Sequence, residues 1–150
     1  MLYVLLALQA FHVLFLLLHD WIPLGSLNNV AAVRAANPAG KLLIGTLIST
    51  SFFLFGFAAS VIHRSGPYPH WLIWYLLISY LFLFVGELEA WWIPYFGSPQ
   101  PERAARYEVM FANTHSFLPA RNAIPINTLH VILHSTTVAT LIVILLVMAA

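Results

Sequence analysis

Cysteine is absent from the 150 residues, which excludes disulfides, thiolate zinc or iron-sulfur ligation and cysteine nucleophiles, and leaves the redox compartment open. Charge is nearly absent as well. Charged residues make up 7%, against about a quarter in an ordinary soluble domain. Six basic and five acidic side chains leave a formal net charge of +1, too little to generate a field for nucleic acid or for an anionic lipid surface. What fills the chain instead is apolar: 61% of the residues are hydrophobic. A water-soluble domain is excluded on composition, and an integral membrane protein is expected.

The apolar residues gather into long runs. Residues 42–62, 71–92 and 128–150 each reach the roughly 20 residues needed to cross a hydrocarbon core of about 30 Å. A further run, residues 2–21, sits near the short limit. It does not look like a signal peptide, because no basic residue precedes Arg34 and no small-residue cleavage site follows the run. The expected architecture is therefore all-α, a single-domain membrane four-helix bundle in contact with the lipid bilayer. All nine prolines fall outside these runs or at their very ends, as helix interiors require.

The link His63 to His70 is short and contains Gly66, Pro67 and Pro69, so it predicts a tight turn between antiparallel neighbours. The other two connections, Gly25 to Pro38 and Ser98 to Pro119, are longer and alanine-rich. Each opens with a serine suited to capping, and Glu102 is four residues before Arg106. Each is expected to form a short interfacial helix. Arg34, Lys41, Arg103, Arg106 and Arg121 fall in or beside these two connections, and only Arg64 lies in the short turn. That asymmetry predicts long connections in the cytoplasm and both termini outside, in the plasma membrane. Trp21, Trp91, Trp92 and Tyr95 then mark the inner boundary, and Tyr68, Trp71, Trp74 and Tyr75 the outer one.

Ionisable residues within a membrane are costly and usually face a bundle interior, so each is a candidate for function. Here they converge on one layer. His12 and His19 are seven residues apart, about 20° around a helix. His130 and His134 share a face at i,i+4, with Thr137 a turn further along. Glu87 and Glu89 point in nearly opposite directions, so only one can face a given site. Thr46, Ser49, Thr50 and Ser60 offer hydroxyls on the second long run. Counted at ~1.5 Å per residue from the aromatic and polar boundaries, most of these groups lie within ~14 Å of the cytoplasmic interface. The outer half is expected to be aliphatic and aromatic.

A nitrogen and oxygen donor set without sulfur suits zinc, iron or manganese. The expected ligands are His12, His19, His130, His134 and Glu87, with Glu87, Glu89 or His115 as acid-base groups acting on a lipid-soluble substrate. The built-in base of an HEXXH motif is missing, since the segment reads His130-Val-Ile-Leu-His134. That HxxxH resembles the one on a membrane helix of the alkaline ceramidase and adiponectin-receptor type of zinc hydrolase. The likeness covers five residues and carries over no activity or residue role. Three other readings share the same residues. Haem b could be held by His12 with His134 or by His19 with His130, although the neighbouring side chains are bulky. A proton-coupled carrier would titrate Glu87 and the histidines and favours a homodimer, because four helices leave a narrow path. An accessory subunit would use its polar groups as interhelical glue and engage a partner through Phe52, Phe53, Phe55 and Phe57.

The connection after Ser98 has two readings. It is either a lid that carries Glu108 or His115 toward the site or, more simply, an interfacial helix with Val109, Met110 and Phe111 toward lipid. Asn127 is placed to cap the final helix.

Overall fold

A computed structural model describes residues 1–111 and 113–149. The described residues are helical with no extended sheet. The elements are α1 (Leu2–Leu18), α2 (Val30–Ala36), α3 (Ala39–Ile62), α4 (His70–Glu87), a π turn (Leu88–Trp92), α5 (Ile93–Phe96), α6 (Pro101–Phe111) and α7 (Thr128–Met148). Among the described residues three rods are long and apolar enough to cross a membrane: α3, the continuous run His70–Phe96, and α7. The fourth expected span ends early. α1 has 17 residues, about 25 Å at the helical rise. The chain turns after Leu18 because the His19 ring bonds back to the Phe15 carbonyl and the Asn28 amide takes the carbonyls of His19 and Ile22. Trp21 consequently leaves the helix, and its indole donates to Thr46 Oγ1 at 3.0 Å.

α1 packs against α3 and α7, and α4 packs against the same two, so the four helices close a ring with α1 and α4 across the centre. Leu5, Val13, Phe53, Leu72, Leu76, Tyr80 and Ile144 fill the interior. Gly56 lets α3 approach α4, because a Cβ there would stand 3.0 Å from Leu76 Cδ2 and 3.1 Å from the Tyr75 ring.

The third run departs from expectation at Pro94, which lies inside a continuous helix rather than beyond its end. A proline has no N–H for the carbonyl four residues back. The preceding turn widens to accommodate it, with the Ile93 N–H bonding Leu88 O, five residues earlier. Such π turns recur at functional sites. This one holds the buried Trp91, between the buried Glu87 at the end of α4 and the buried Tyr95 on α5.

Both long connections do contain helices, α2 and α6, and the two pack against each other. The cap of α2 is not the serine expected. Asn29 caps α2 by accepting from the Ala32 N–H at 3.0 Å. Among the described residues Glu102 and Arg106 do not pair, and the ion pair that forms is His19 with Asp20. Met110 and Phe111 do not face lipid: with Ala104 and Tyr107 they are buried against Val33, Trp91, Tyr95, Ile124 and Ile126, and only Val109 points outward. α6 is thus a docked cap. Its return strand turns sharply at Arg121–Ile124, where Asn122 and Ala123 both have positive φ, at 52° and 57°. Glycine is the usual second residue of such a turn, because a Cβ is strained in the left-handed region. Ala123→Gly is expected to raise stability by about 0.5–1 kcal/mol, read as a shift in the detergent unfolding midpoint; unchanged or lower stability would mean that the turn is not strained.

Candidate functional site

The polar side chains of the bundle interior form one hydrogen-bonded chain and one file of histidines. His12 on α1 is fully buried. Its Nδ1 lies 2.7 Å from the Leu8 carbonyl, and its Nε2 is 3.1 Å from Thr137 Oγ1 on α7. Thr137 Oγ1 in turn is 2.7 Å from Glu87 Oε1 at the end of α4. The helical period explains the meeting. Glu87 continues the buried stripe Leu72, Leu76, Tyr80, and Thr137 continues the stripe Leu133, His134, Thr140. The chain therefore links α1, α7 and α4 across the ring, with the Tyr80 ring edge-on to His12 at 5.0 Å.

Donor and acceptor roles in this chain are constrained. A carbonyl oxygen can only accept, so His12 Nδ1 carries a proton. Thr137 has a single hydroxyl proton, for which the Leu133 carbonyl at 3.1 Å is the longer alternative to Glu87. While that proton stays within the chain, two arrangements satisfy every contact. In one, an imidazolium donates to Thr137, which donates to a Glu87 carboxylate. In the other, a protonated Glu87 donates to Thr137, which donates to a neutral His12. The two differ by the position of one proton and by the direction of both bonds.

His134 is buried a turn from Thr137 on the same face of α7. The Trp92 indole, which is only a donor, reaches its Nδ1 at 3.0 Å and so fixes the proton of the neutral ring on Nε2. His134 Nε2 and Glu87 Oε2 are both buried without a partner. Thr137, three residues beyond His134 on α7, is the residue that bonds Glu87.

Further toward the cap, His130 is held by Asn127, whose side chain accepts both the His130 backbone N–H at 3.0 Å and its Nδ1 at 2.6 Å. Asn127 thus caps α7 as expected and also orients a ring. Trp91 covers that ring at 4.3 Å between centroids, and Phe111 of the cap meets it at 5.2 Å. His19 stands 6.1 Å from His130, and His130 stands 6.2 Å from His134. His19 Nε2 is 3.3 Å from Asp20 at the rim. A file therefore runs Asp20, His19, His130, His134 from the capped end to the neighbourhood of Glu87.

The expected metal centre is not shown by this arrangement. Among the described residues no three His, Asp or Glu side chains come together to hold an ion. The five proposed ligands His12, His19, His130, His134 and Glu87 divide between the buried chain and the file. His12 in particular has both ring nitrogens engaged within the bundle, which also leaves it no free nitrogen for a haem iron. The proposed acid-base groups separate too. Glu87 is buried in the chain. Glu89 is exposed on the far side, in a polar groove of about 470 Å³ with Arg103 and Arg106 of α6, and its backbone carbonyl accepts from Arg103. His115 is exposed beside the start of α7, bonded to Thr128 Oγ1 at 2.8 Å. Within the cap, burial pushes the Tyr107 hydroxyl above its usual range, with Arg103 and Arg106 pulling it back.

Sequence reading missed two participants. Trp92 reads as an interface marker, yet it sets the His134 tautomer. Gln9 lies in the outer half that was expected to be apolar, where its amide donates to Ser60 Oγ at 3.0 Å while Tyr68 reaches the Ser60 carbonyl. No family model, curated protein or solved structure matches this chain.

Proposed function

We propose that this chain is a proton-coupled membrane protein that handles a lipid-soluble molecule, with Glu87 as the group that exchanges a proton. The observation that carries this reading is the unbroken bonding of His12 to Thr137 to Glu87, which stays satisfied whichever end holds the proton. Two further features support it. The rings of the histidine file stand about 6 Å apart, separations that single water molecules bridge. Between the α4 to α5 run and α7 lies an apolar groove of about 540 Å³, within the range of ligand sites, and His134 is part of its wall. In this reading α1 is the fourth crossing, made short by the turn at His19. The interlocked cap lies in the cytoplasm, where the basic residues of both long connections collect.

The proton would enter at Asp20 and His19, pass to His130, and settle on the chain. Glu87→Gln tests this. A glutamine side chain can donate to or accept from Thr137 but cannot take up the proton or carry the negative charge, so a buried imidazolium at His12 loses the carboxylate that balances it. In the protein in nanodiscs, lowering the pH loads one shared proton, so the second N–H of the His12 ring in ¹⁵N NMR and the Glu87 carboxylic-acid infrared band are expected to rise over the same pH range, with fractional amplitudes that sum to one. Glu87→Gln is expected to hold His12 singly protonated across the same pH range. A His12 titration unchanged by the substitution overturns the proposal.

A further inference from the structure

We infer that the polar groove between the α4 to α5 run and α6 seats the headgroup of a phospholipid that joins a phosphodiester to a primary ammonium, with its acyl chains lying on the exposed apolar face of α4. The inference is independent of the proton-handling reading, whose residues do not line this groove. Two of the chain's five acidic and two of its six basic side chains, Glu89, Glu102, Arg103 and Arg106, line this one groove of about 470 Å³. Among the described residues none of the four is paired with an opposite charge. Arg103 gives one N–H to the Glu89 backbone carbonyl at 2.8 Å, which ties α6 to the π turn and takes nothing from the Glu89 carboxylate. Its other N–H groups remain for a ligand.

The helical period connects the groove to lipid. Ile78, Phe82 and Gly86 follow at four-residue spacing, with Leu81, Val85 and Glu89 in the adjacent row. Ile78, Leu81, Phe82 and Val85 are exposed, whereas Gly86 and Glu89 line the groove. One face of the rod thus runs from exposed apolar side chains into the charged pocket, which is the order of parts in a phospholipid. The headgroup follows from the two signs of charge. A pair of guanidinium groups suits a phosphodiester, which each can meet through parallel N–H bonds. Two carboxylates suit an ammonium that carries N–H donors. A headgroup bearing only the phosphodiester charge would leave both carboxylates uncompensated beside an anion. A choline ammonium has no N–H to give them and is held instead by a cage of aromatic rings, whereas Tyr107 is the single aromatic in this lining.

The test offers purified protein equal amounts of dioleoyl phosphatidylethanolamine, phosphatidylcholine and phosphatidylglycerol in mixed micelles, and reads bound lipid by native mass spectrometry. Phosphatidylethanolamine is expected to be retained roughly tenfold over either of the others, the factor that one net hydrogen bond to a charged group supplies. The same lipid bearing a diazirine in its acyl chain should label Phe82 or Val85. In Gly86→Phe the preference should vanish, and the helix should accept the ring because a Cβ at Gly86 meets nothing within 4 Å. Glu89→Gln combined with Glu102→Gln leaves two guanidinium groups alone in the groove, so phosphatidylglycerol should move to first place. That ranking is a ratio within one variant and does not depend on how much of it folds. Equal retention of the three lipids by the parent protein overturns the inference, since the contact is then general lipid solvation. Phosphatidylglycerol ranking first in the parent overturns the role of the carboxylates. Displacement by soluble glycerophosphoethanolamine at equal concentration overturns the lipid in favour of a water-borne phosphodiester, and labelling elsewhere or a preference that survives Gly86→Phe overturns the site.

Discussion

Thr137→Val is expected to destabilise the protein by about 2 kcal/mol, well above the ~0.6 kcal/mol average for an interhelical hydrogen bond inside a membrane. The difference arises because one hydroxyl serves two partners on two other helices. Valine keeps the shape and the β-branch, so packing and helix propensity change little. What changes is that His12 Nε2 and Glu87 Oε1 lose their shared partner together, in a site with no access to water. The measurement is the midpoint of unfolding by sodium dodecyl sulfate in mixed micelles. Thr137→Ser should recover most of the loss, since it restores the hydroxyl. A valine variant within about 0.5 kcal/mol of the parent would show that the chain is not bonded as described.

Trp91→Ala is expected to have a larger effect, about 3–5 kcal/mol, the range for emptying the volume of a buried large aromatic. Trp91 touches the cap and the histidine file together, with Tyr107 at 4.6 Å, Phe111 at 4.9 Å and His130 at 4.3 Å between ring centroids. Its loss should release α6 before the long helices separate. Trypsin reports this directly, because Arg103 and Arg106 lie on α6. Cleavage there is expected to be slow in the parent and fast in the alanine variant, with Trp91→Phe in between. A variant that unfolds in a single step with α6 still protected would show that the cap is not an independent unit.

The long apolar runs were legible because hydrocarbon thickness sets a length that composition alone can meet. The shortening of α1 was not legible. It depends on Asn28 folding back nine residues to the His19 carbonyl, a bond that no local pattern announces. The convergence of His12, Thr137 and Glu87 could be anticipated as a layer from rise per residue, and His19 and His130 do sit at matching depth. The kind of site could not. Depth places groups in a plane, but the choice between a metal shell and a bonding chain depends on rotation about each helix axis. The π turn at Leu88–Trp92 alters that rotation for the residues after Glu87. Pro94 was the available signal: a proline two residues past a tryptophan pair reads as a helix end, whereas here the helix continues and widens. The cap was misjudged for a related reason. Met110 and Phe111 are apolar enough to face lipid, and only the aromatic surface of Trp91 makes protein the better solvent for them.

The two long connections are stitched by main-chain atoms. The His115 N–H donates to the Ser26 carbonyl, the Thr128 N–H donates to the His115 carbonyl, and the Asn127 amide reaches Leu27 O. The bonds of Asn127 and Thr128 tie Leu27 and His115 to the start of α7, so they cannot form until the ribosome has delivered those residues. Until then His12 and Glu87 have no Thr137 to bond. The nascent polypeptide must therefore dwell in the bilayer with two ionisable groups waiting for a threonine still to be synthesised. The site cannot close before α7 has been made, and fragments lacking α7 should be inert and quickly degraded.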